Sequence, residues 1–343
     1  MLYPLLLAPL LQARVWGGRD LERLYQKPLP PGVPIGESWE IADRPGASSV
    51  VANGPLAGRD LRWLMTNHAG ELLGAAVASP GRFPLLVKIL DARQVLSVQV
   101  HPPAAVAAQL GGEPKTEMWF VTQAAPGAQL LAGLRAGVDR AAFARKLADG
   151  TVGECLHTIP VAAGDALFLP SGRVHALGEG LVIFEIQQNS DTTYRVFDWN
   201  RPGPDGKPRA LHVQPAMTSI DFGDFAPGLV KAPWERRGGG RVRKLVEDPL
   251  FSVREWQWPA GYGERLAAPS RPRIIGVATG RLRLDHAASG VAVVLSAGHF
   301  CLLPASLEGV NLAAQTATRC LIAVPGLAGC LGGRHREMDE SGF

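Results

Sequence analysis

Four residues in this sequence have the types and spacing of a metal site: Gln99, His101, Glu117 and His175. Gln99 and His101 lie two apart in SVQVHP, where Val98 and Val100 occupy the alternate positions. Successive side chains of a strand point to opposite faces, so Ser97, Gln99 and His101 share one face. Glu117 opens a second strand-like run in KTEMWFV, and His175 closes GDALFLPSGRVH. Taken singly, His101 reads as an ordinary structural histidine and Glu117 as a solvated strand end. Taken together, two imidazoles, a carboxylate and an amide oxygen make a donor set for a borderline divalent metal.

Such a site needs strands to hold it. PLLVKIL, VLSVQV, EMWFVT, DALFLP, LVIFEIQQ, RIIGVATG and VAVVLS are strand-sized apolar runs, commonly bounded by Gly, Pro, Asp or Asn. The pattern predicts a mainly β protein with a few short helices. Those helices are expected in LRWLMTNHAGELLG, AAVAAQL and DRAAFARKLADG. WERRGGGRVRK, residues 234–244, reads as a linker or loop. A weak repeat relates GDALFLPSGRVH to GHFCLLPASLEG, with Gly309 where the first copy has His175.

Size and composition set the frame. The 343 residues are 46% apolar and 19% charged, enough for two domains and a sizeable core. The net charge of +4 suits a small anionic substrate, and no basic run interleaved with aromatics argues for nucleic acid. Cys155, Cys301, Cys320 and Cys330 are widely spaced without a CxxC, which suits reduced thiols. MLYPLLLAPLLQARVWGG lacks a basic n-region and is broken by Pro4 and Pro9, and no apolar run is long enough to span a bilayer. The expectation is a soluble cytoplasmic protein.

G-x5-P-x-G-x2-H, from Gly164 to His175, resembles the second characteristic motif of the cupin superfamily, although Glu179 stands where that motif usually has Asn. Seven stretches together resemble the type I phosphomannose isomerase family in its short bacterial form. They are WGG (16–18), GESW (36–39), FPLLVKIL (83–90), LSVQVHP (96–102), KTEMW (115–119), PSGRVHA (170–176) and QQNSDTTYRVFD (187–198). The resemblance implies two cupin-like β-barrel or jelly-roll units. Residues 1–235 would form a catalytic domain with the metal site, and 240–330 a C-terminal β domain lacking metal ligands. It implies a zinc enzyme interconverting mannose 6-phosphate and fructose 6-phosphate, with Gln99, His101, Glu117 and His175 as ligands. Oligomeric state stays open.

An aldose–ketose isomerisation through an enediol also needs cations for the phosphate and a proton carrier. Lys88, Lys115, Arg195 and Ser97 are the expected substrate and phosphate contacts. Arg195, Lys115 and Glu185 are the expected catalytic groups, with Asp198 a further candidate base. Lys115 could serve if burial lowers its pKa, and Glu185 could instead support a ligand histidine. Glu185, Gln187 and Asn189 fall on one face at period two. Trp16, Trp39 and Glu40 could line the sugar pocket. His68, His157, His212, His286, His299 and His335 have no motif support. Two other classes fit the donor set: a non-catalytic metal-binding cupin that senses a sugar phosphate, and an iron-dependent cupin oxygenase. Gln99 as a fourth ligand argues against the open triad that the latter uses.

Overall fold

The structure is a computed structural model that describes residues 1–74, 81–203, 206–267 and 270–326. Cys330, His335 and residues 327–330 of the expected C-terminal domain lie outside the described residues. The protein is mainly β, with short helices at the periphery. Four sheets carry the architecture. A five-stranded sheet has the spatial order Leu156–Pro160, Gln129–Leu134, His175–Leu177, Val98–Val100, Tyr194–Phe197. It faces a six-stranded sheet in the order Ala166–Leu169, Glu117–Ala124, Leu181–Gln188, Leu85–Ala92, Ile35–Ile41, Leu10–Gly18. A second six-stranded sheet (Glu235–Arg237, Gly240–Glu247, Phe251–Trp258, Thr318–Pro325, Arg273–Thr279, Phe300–Leu303) faces a four-stranded one. None of the four closes on itself by hydrogen bonding. The expected barrels are therefore pairs of open sheets.

The two six-stranded sheets lie back to back, and strand periodicity shows why. In Leu181–Gln188 nearly every residue is buried. Val182, Phe184 and Ile186 join Leu245, Phe251, Val253, Leu302 and Leu321 in one core shared by both large sheets. Leu181 and Ile183 point the other way, into a core with Leu130, Ala132 and Leu177 of the five-stranded sheet. Such a strand has no face for water, so its sequence is a continuous apolar run. Phe184 is fully buried with its ring 4.9 Å from that of Phe300. Phe184→Ala should cost about 3–5 kcal/mol, measurable as a lower urea midpoint at unchanged slope.

The repeat maps onto matching places. Ala166–Leu169 and Phe300–Leu303 are each an edge strand of a six-stranded sheet. Gly164 (φ +101) and Gly298 (φ +75) start them in a region that disfavours residues with a Cβ. The linker expected at 234–244 is instead a β-hairpin, Glu235–Arg237 paired with Gly240–Glu247. The apolar N-terminal segment supplies Leu2 and Leu5 to the shared core and the strand Leu10–Gly18.

The expected helices form, shortened by local chemistry. Asp60 caps Leu61–Asn67 by accepting from Trp63 N, and Asp139 caps Arg140–Ala148 by accepting from Ala142 N. His68 separates the first from a short second helix, Ala69–Leu73. AAVAAQL yields one turn, Ala104–Ala107. Cys155, Cys301 and Cys320 are free and buried. Among the described residues no helix is long and apolar enough to cross a membrane.

Candidate active site

The face of SVQVHP that carries Ser97 and Gln99 looks into a cleft. Ser97, Gln99, Lys88, Lys115, Glu185 and Arg195 all line it, in a volume of about 360 Å³. Strand register puts the parts together. His175 pairs with Gln99 and Gln99 with Arg195, across three neighbouring strands of the five-stranded sheet. Glu117 lies in the opposing sheet, between Leu169 and Gln187. The Pro170–Gly172 turn that aims His175 inward also donates Gly172 N to the His101 carbonyl, at 2.8 Å. Both histidine segments are thereby fixed to each other.

His101, Glu117 and His175 are buried and present ligand atoms all within 4.8 Å of one another. The His101 Nδ1 lies 2.8 Å from the Thr192 carbonyl and the His175 Nδ1 lies 2.9 Å from that of Arg173. A carbonyl only accepts, so each Nδ1 carries the proton and each Nε2 presents its lone pair inward. Burial, then the Lys115 ammonium, push the His101 pKa down to about 4. Burial lowers that of His175 as well, against the pull of Glu117. Burial opposes ionisation of Glu117, but the Lys115 ammonium at 2.6 Å outweighs it and holds the carboxyl well below its usual range. Two neutral imidazoles around an ionised carboxylate are in the protonation states that metal coordination requires. Glu117 Oε1 lies 3.5 Å from His175 Nε2 and is buried without a hydrogen-bond partner. The donor set therefore fits a divalent cation. The Gln99 side chain reaches the same point, its Nε2 being 3.2 Å from His175 Nε2. Trp119 packs edge-on against His175 at 5.2 Å and donates Nε1 to Glu185 Oε2 at 2.9 Å.

Above this floor the walls are ionic. Lys115 Nζ lies 2.6 Å from Glu117 Oε2 and 4.0 Å from Glu185 Oε1. Burial alone would lower its pKa, but those two carboxylates outweigh burial and raise it. The expectation of a neutralised lysine base is thus reversed. Lys88 lies mid-strand, 3.3 Å from Glu185, 3.9 Å from Glu37 and 5.1 Å from the Trp39 ring centroid. Glu185 meets Trp119 and Lys88, not a ligand histidine, because carbonyls already hold both Nδ1 atoms. Glu185 Oε1 is buried without a hydrogen bond.

Some expected residues fall elsewhere. Asp198 does not face the cleft as a base: it pairs with Arg201 and Arg209, each at 2.6 Å. Glu40 is committed to Lys27 and Ser38 in the interior. Asn189 donates to the Asp43 and Phe83 carbonyls, and Gln187 to those of Gln188 and Ser190. His212 accepts from the backbone N–H of Arg195 at 3.1 Å, so this histidine braces a cleft strand. Arg14, Glu37 and Arg209 line the cleft unforeseen, beside the expected Trp16. For Glu37 a signal existed: it shares strand parity with Trp39, whereas Glu40 does not.

Glu37 gives a pH signature. Burial would raise its pKa, but Lys88 and Arg14 overcome burial and bring it down to about 2. A depressed acid contributes stability above its unfolded pKa that is lost as pH falls toward the folded one. Acidification from about 4.5 to about 2 should remove about 3 kcal/mol through this group. Urea titrations across that range should show the slope, and Glu37→Gln should flatten it.

A buried, metal-capable centre between two facing sheets, ringed by paired charges, defines a metal-site enzyme of mainly β architecture. The catalytic-domain family model of type I phosphomannose isomerase matches residues 5–127. The mannose-6-phosphate isomerase of Streptococcus mutans is 38% identical over 270 residues, covering 78% of this chain and 83% of that one. Mannose-6-phosphate isomerase ManA of Bacillus subtilis is 36% identical over 261 residues, covering 74% and 79%. The crystal structure of mannose 6-phosphate isomerase from Bacillus subtilis superposes with a TM-score of 0.84 at 29% identity, covering 94% of this chain and 99% of that one. The chain belongs to the type I phosphomannose isomerase family, and it is an isomerase. Membership decides against the sensor and oxygenase readings.

Proposed function

We propose that this enzyme interconverts mannose 6-phosphate and fructose 6-phosphate through an enediol, with one Zn²⁺ held by Gln99, His101, Glu117 and His175. The observation that carries the reading is the pair of inward Nε2 lone pairs around the unpartnered Glu117 Oε1 at the floor of a cation-lined cleft. When bound, the metal supplies Lewis-acid stabilisation of charge developing on the sugar carbonyl oxygen. The chain supplies the rest. Lys115 stays an ammonium, so it acts as a fixed cation beside the reacting oxygens and not as a base. Glu185 Oε1 faces the cleft with no hydrogen bond to give up, which suits it to carry the proton between C1 and C2. Ser97 and Arg195 meet the phosphate, joined by Arg209. Lys88, tied to two carboxylates, holds Glu185 in place and faces sugar hydroxyls.

Residues 1–235 form the catalytic jelly-roll unit in this proposal. Residues 240–330, described to 326, form a second β unit that lacks the metal ligands. A coupled assay on mannose 6-phosphate, with metal content read on the same sample, tests the function. Chelation should abolish turnover and Zn²⁺ should restore it. Full turnover by metal-free protein would overturn the proposal.

A further inference from the structure

Glu185 is one member of a row. Strand register sets Leu167, Trp119, Glu185, Lys88 and Trp39 side by side, one residue from each of five neighbouring strands of the six-stranded sheet. Residues opposite each other in a ladder share a face, so all five point toward the five-stranded sheet. Two carboxylates here each take one indole N–H. Trp119 donates Nε1 to Glu185 Oε2 at 2.9 Å, and Trp39 donates its own to Glu37 Oε2 at 2.7 Å. Lys88 sits between them, 3.3 Å from Glu185 Oε1 and 3.9 Å from Glu37 Oε2.

A glutamate does not itself choose which oxygen it presents. The last torsion of its side chain is broad and nearly twofold, so turning the carboxylate costs little. Lys88 does not settle the choice, because its ammonium rotates and is shared with Glu37. The Trp119 ring does. It is fully buried, edge-on to His175 at 5.2 Å and flanked by Leu167. It has a single donor, the indole N–H in the ring plane. One donor in one place fixes Oε2 through a charge-assisted bond. Oε1 is left in the cleft without a hydrogen bond.

We propose that Trp119 is a positioning residue of the isomerisation, its indole N–H holding Glu185 Oε2 so that Oε1 faces the reacting carbons. The inference rests on Glu185 as the proton carrier. In that step Oε1 takes the proton from C2 of the open aldose. The C–H electron pair becomes the C1=C2 bond, and the carbonyl pair moves onto O1. The O2 hydroxyl then passes its proton to O1 as the C2=O bond forms, and the C1=C2 pair takes the proton back from Oε1 at C1. The same oxygen must reach both carbons, so a carboxylate free to turn wastes encounters.

Trp119→Phe keeps an aromatic ring and removes the donor. In the Zn²⁺-loaded full chain, kcat on mannose 6-phosphate should fall by about tenfold to a hundredfold at the parent KM and metal content. With mannose 6-phosphate deuterated at C2, the variant should show a full primary isotope effect on kcat, because proton abstraction has become the slow step. A role confined to packing would move stability or metal content and leave that step alone. Replacing Trp119 with benzothienylalanine, which has sulfur in place of the N–H and opens no cavity, should give the same kcat and isotope effect even if the phenylalanine variant does not fold. Parent kcat, loss of Zn²⁺, or a slower kcat with an isotope effect near one would each overturn the proposal. Glu185→Gln separates the two readings. If it loses turnover while the donor-free variants keep theirs, the proton carrier stands and the positioning role falls. If Glu185→Gln turns over like the parent, the proton carrier falls and the positioning role falls with it.

Discussion

His101→Ala should lose its bound metal and at least about a thousandfold in turnover while keeping its fold, the loss being that of Lewis-acid stabilisation. The reason for the intact fold is electrostatic. With the imidazole gone, Lys115 and Glu117 still face each other at 2.6 Å, so no buried charge is left alone. Glu117→Gln should lose metal and turnover equally but behave differently in stability. It leaves the Lys115 ammonium with Glu185, 4.0 Å away, as its remaining carboxylate. Breaking a buried pair in this way costs about 3–5 kcal/mol. Metal analysis, the coupled assay and urea denaturation on the two variants separate the roles. A chelated His101→Ala protein with full activity would refute the assignment of the metal site.

Arg209→Ala and Arg195→Ala should each lower kcat/KM for the phosphorylated sugar by about a hundredfold, the size of a lost charge-assisted contact that orients the reacting end. The distribution of charge in the cleft is the argument. Near the metal-capable floor, Arg14, Lys88 and Lys115 are matched by Glu37, Glu117 and Glu185. At the other end Arg201 and Arg209 both pair with one buried carboxylate, Asp198, and Arg195 stands beside them bound through Nη1 to the Ala210 carbonyl. Even with the exposed Asp191 at the rim, that end keeps an excess of positive charge. Burial, then the neighbouring Arg209, lower the Arg195 pKa, as expected of guanidiniums crowded together. A dianion relieves that crowding, whereas at the balanced end it would meet carboxylates. Arg209→Ala leaves Asp198 paired with Arg201, so the fold should hold. Steady-state kinetics on mannose 6-phosphate and on unphosphorylated mannose decide the matter. An equal fall on both sugars would contradict a phosphate role.

The sequence shows the metal-capable cluster clearly because each member sits in a local pattern. Period two places Gln99 with His101's strand, and a Gly–Pro–Gly turn delivers His175. Fold class is legible for the same reason: short runs bounded by turn residues dictate strands without knowledge of their partners. What stays hidden is pairing across strands. Glu37 reaches Lys88 because Ile35–Ile41 lies beside Leu85–Ala92 with Trp39 opposite Lys88, a register no local pattern announces. Lys115 shows the same limit. Glu117, two residues along, is local, but Glu185, the second carboxylate that offsets burial, comes from the neighbouring strand Leu181–Gln188. At WERRGGGRVRK, composition suggested a loop, yet β-pairing overrides weak propensity when aromatic rings cover the turn.

The back-to-back seating of the two large sheets has a consequence for biosynthesis. Leu5 exchanges both backbone hydrogen bonds with Leu302, each at 2.9 Å. Leu5 and its neighbours therefore wait for a strand made about 300 residues later. During that interval Val87, Ile89, Phe120 and Phe184 lack the part of their cover that comes from Leu245 to Ala323. Long-range closure of this kind is slow, and transiently exposed apolar surface invites aggregation. A stop codon after the last cleft residue would thus yield every catalytic group and an insoluble product. The distal sheets thus act as a built-in chaperone for the sheets that carry the cleft.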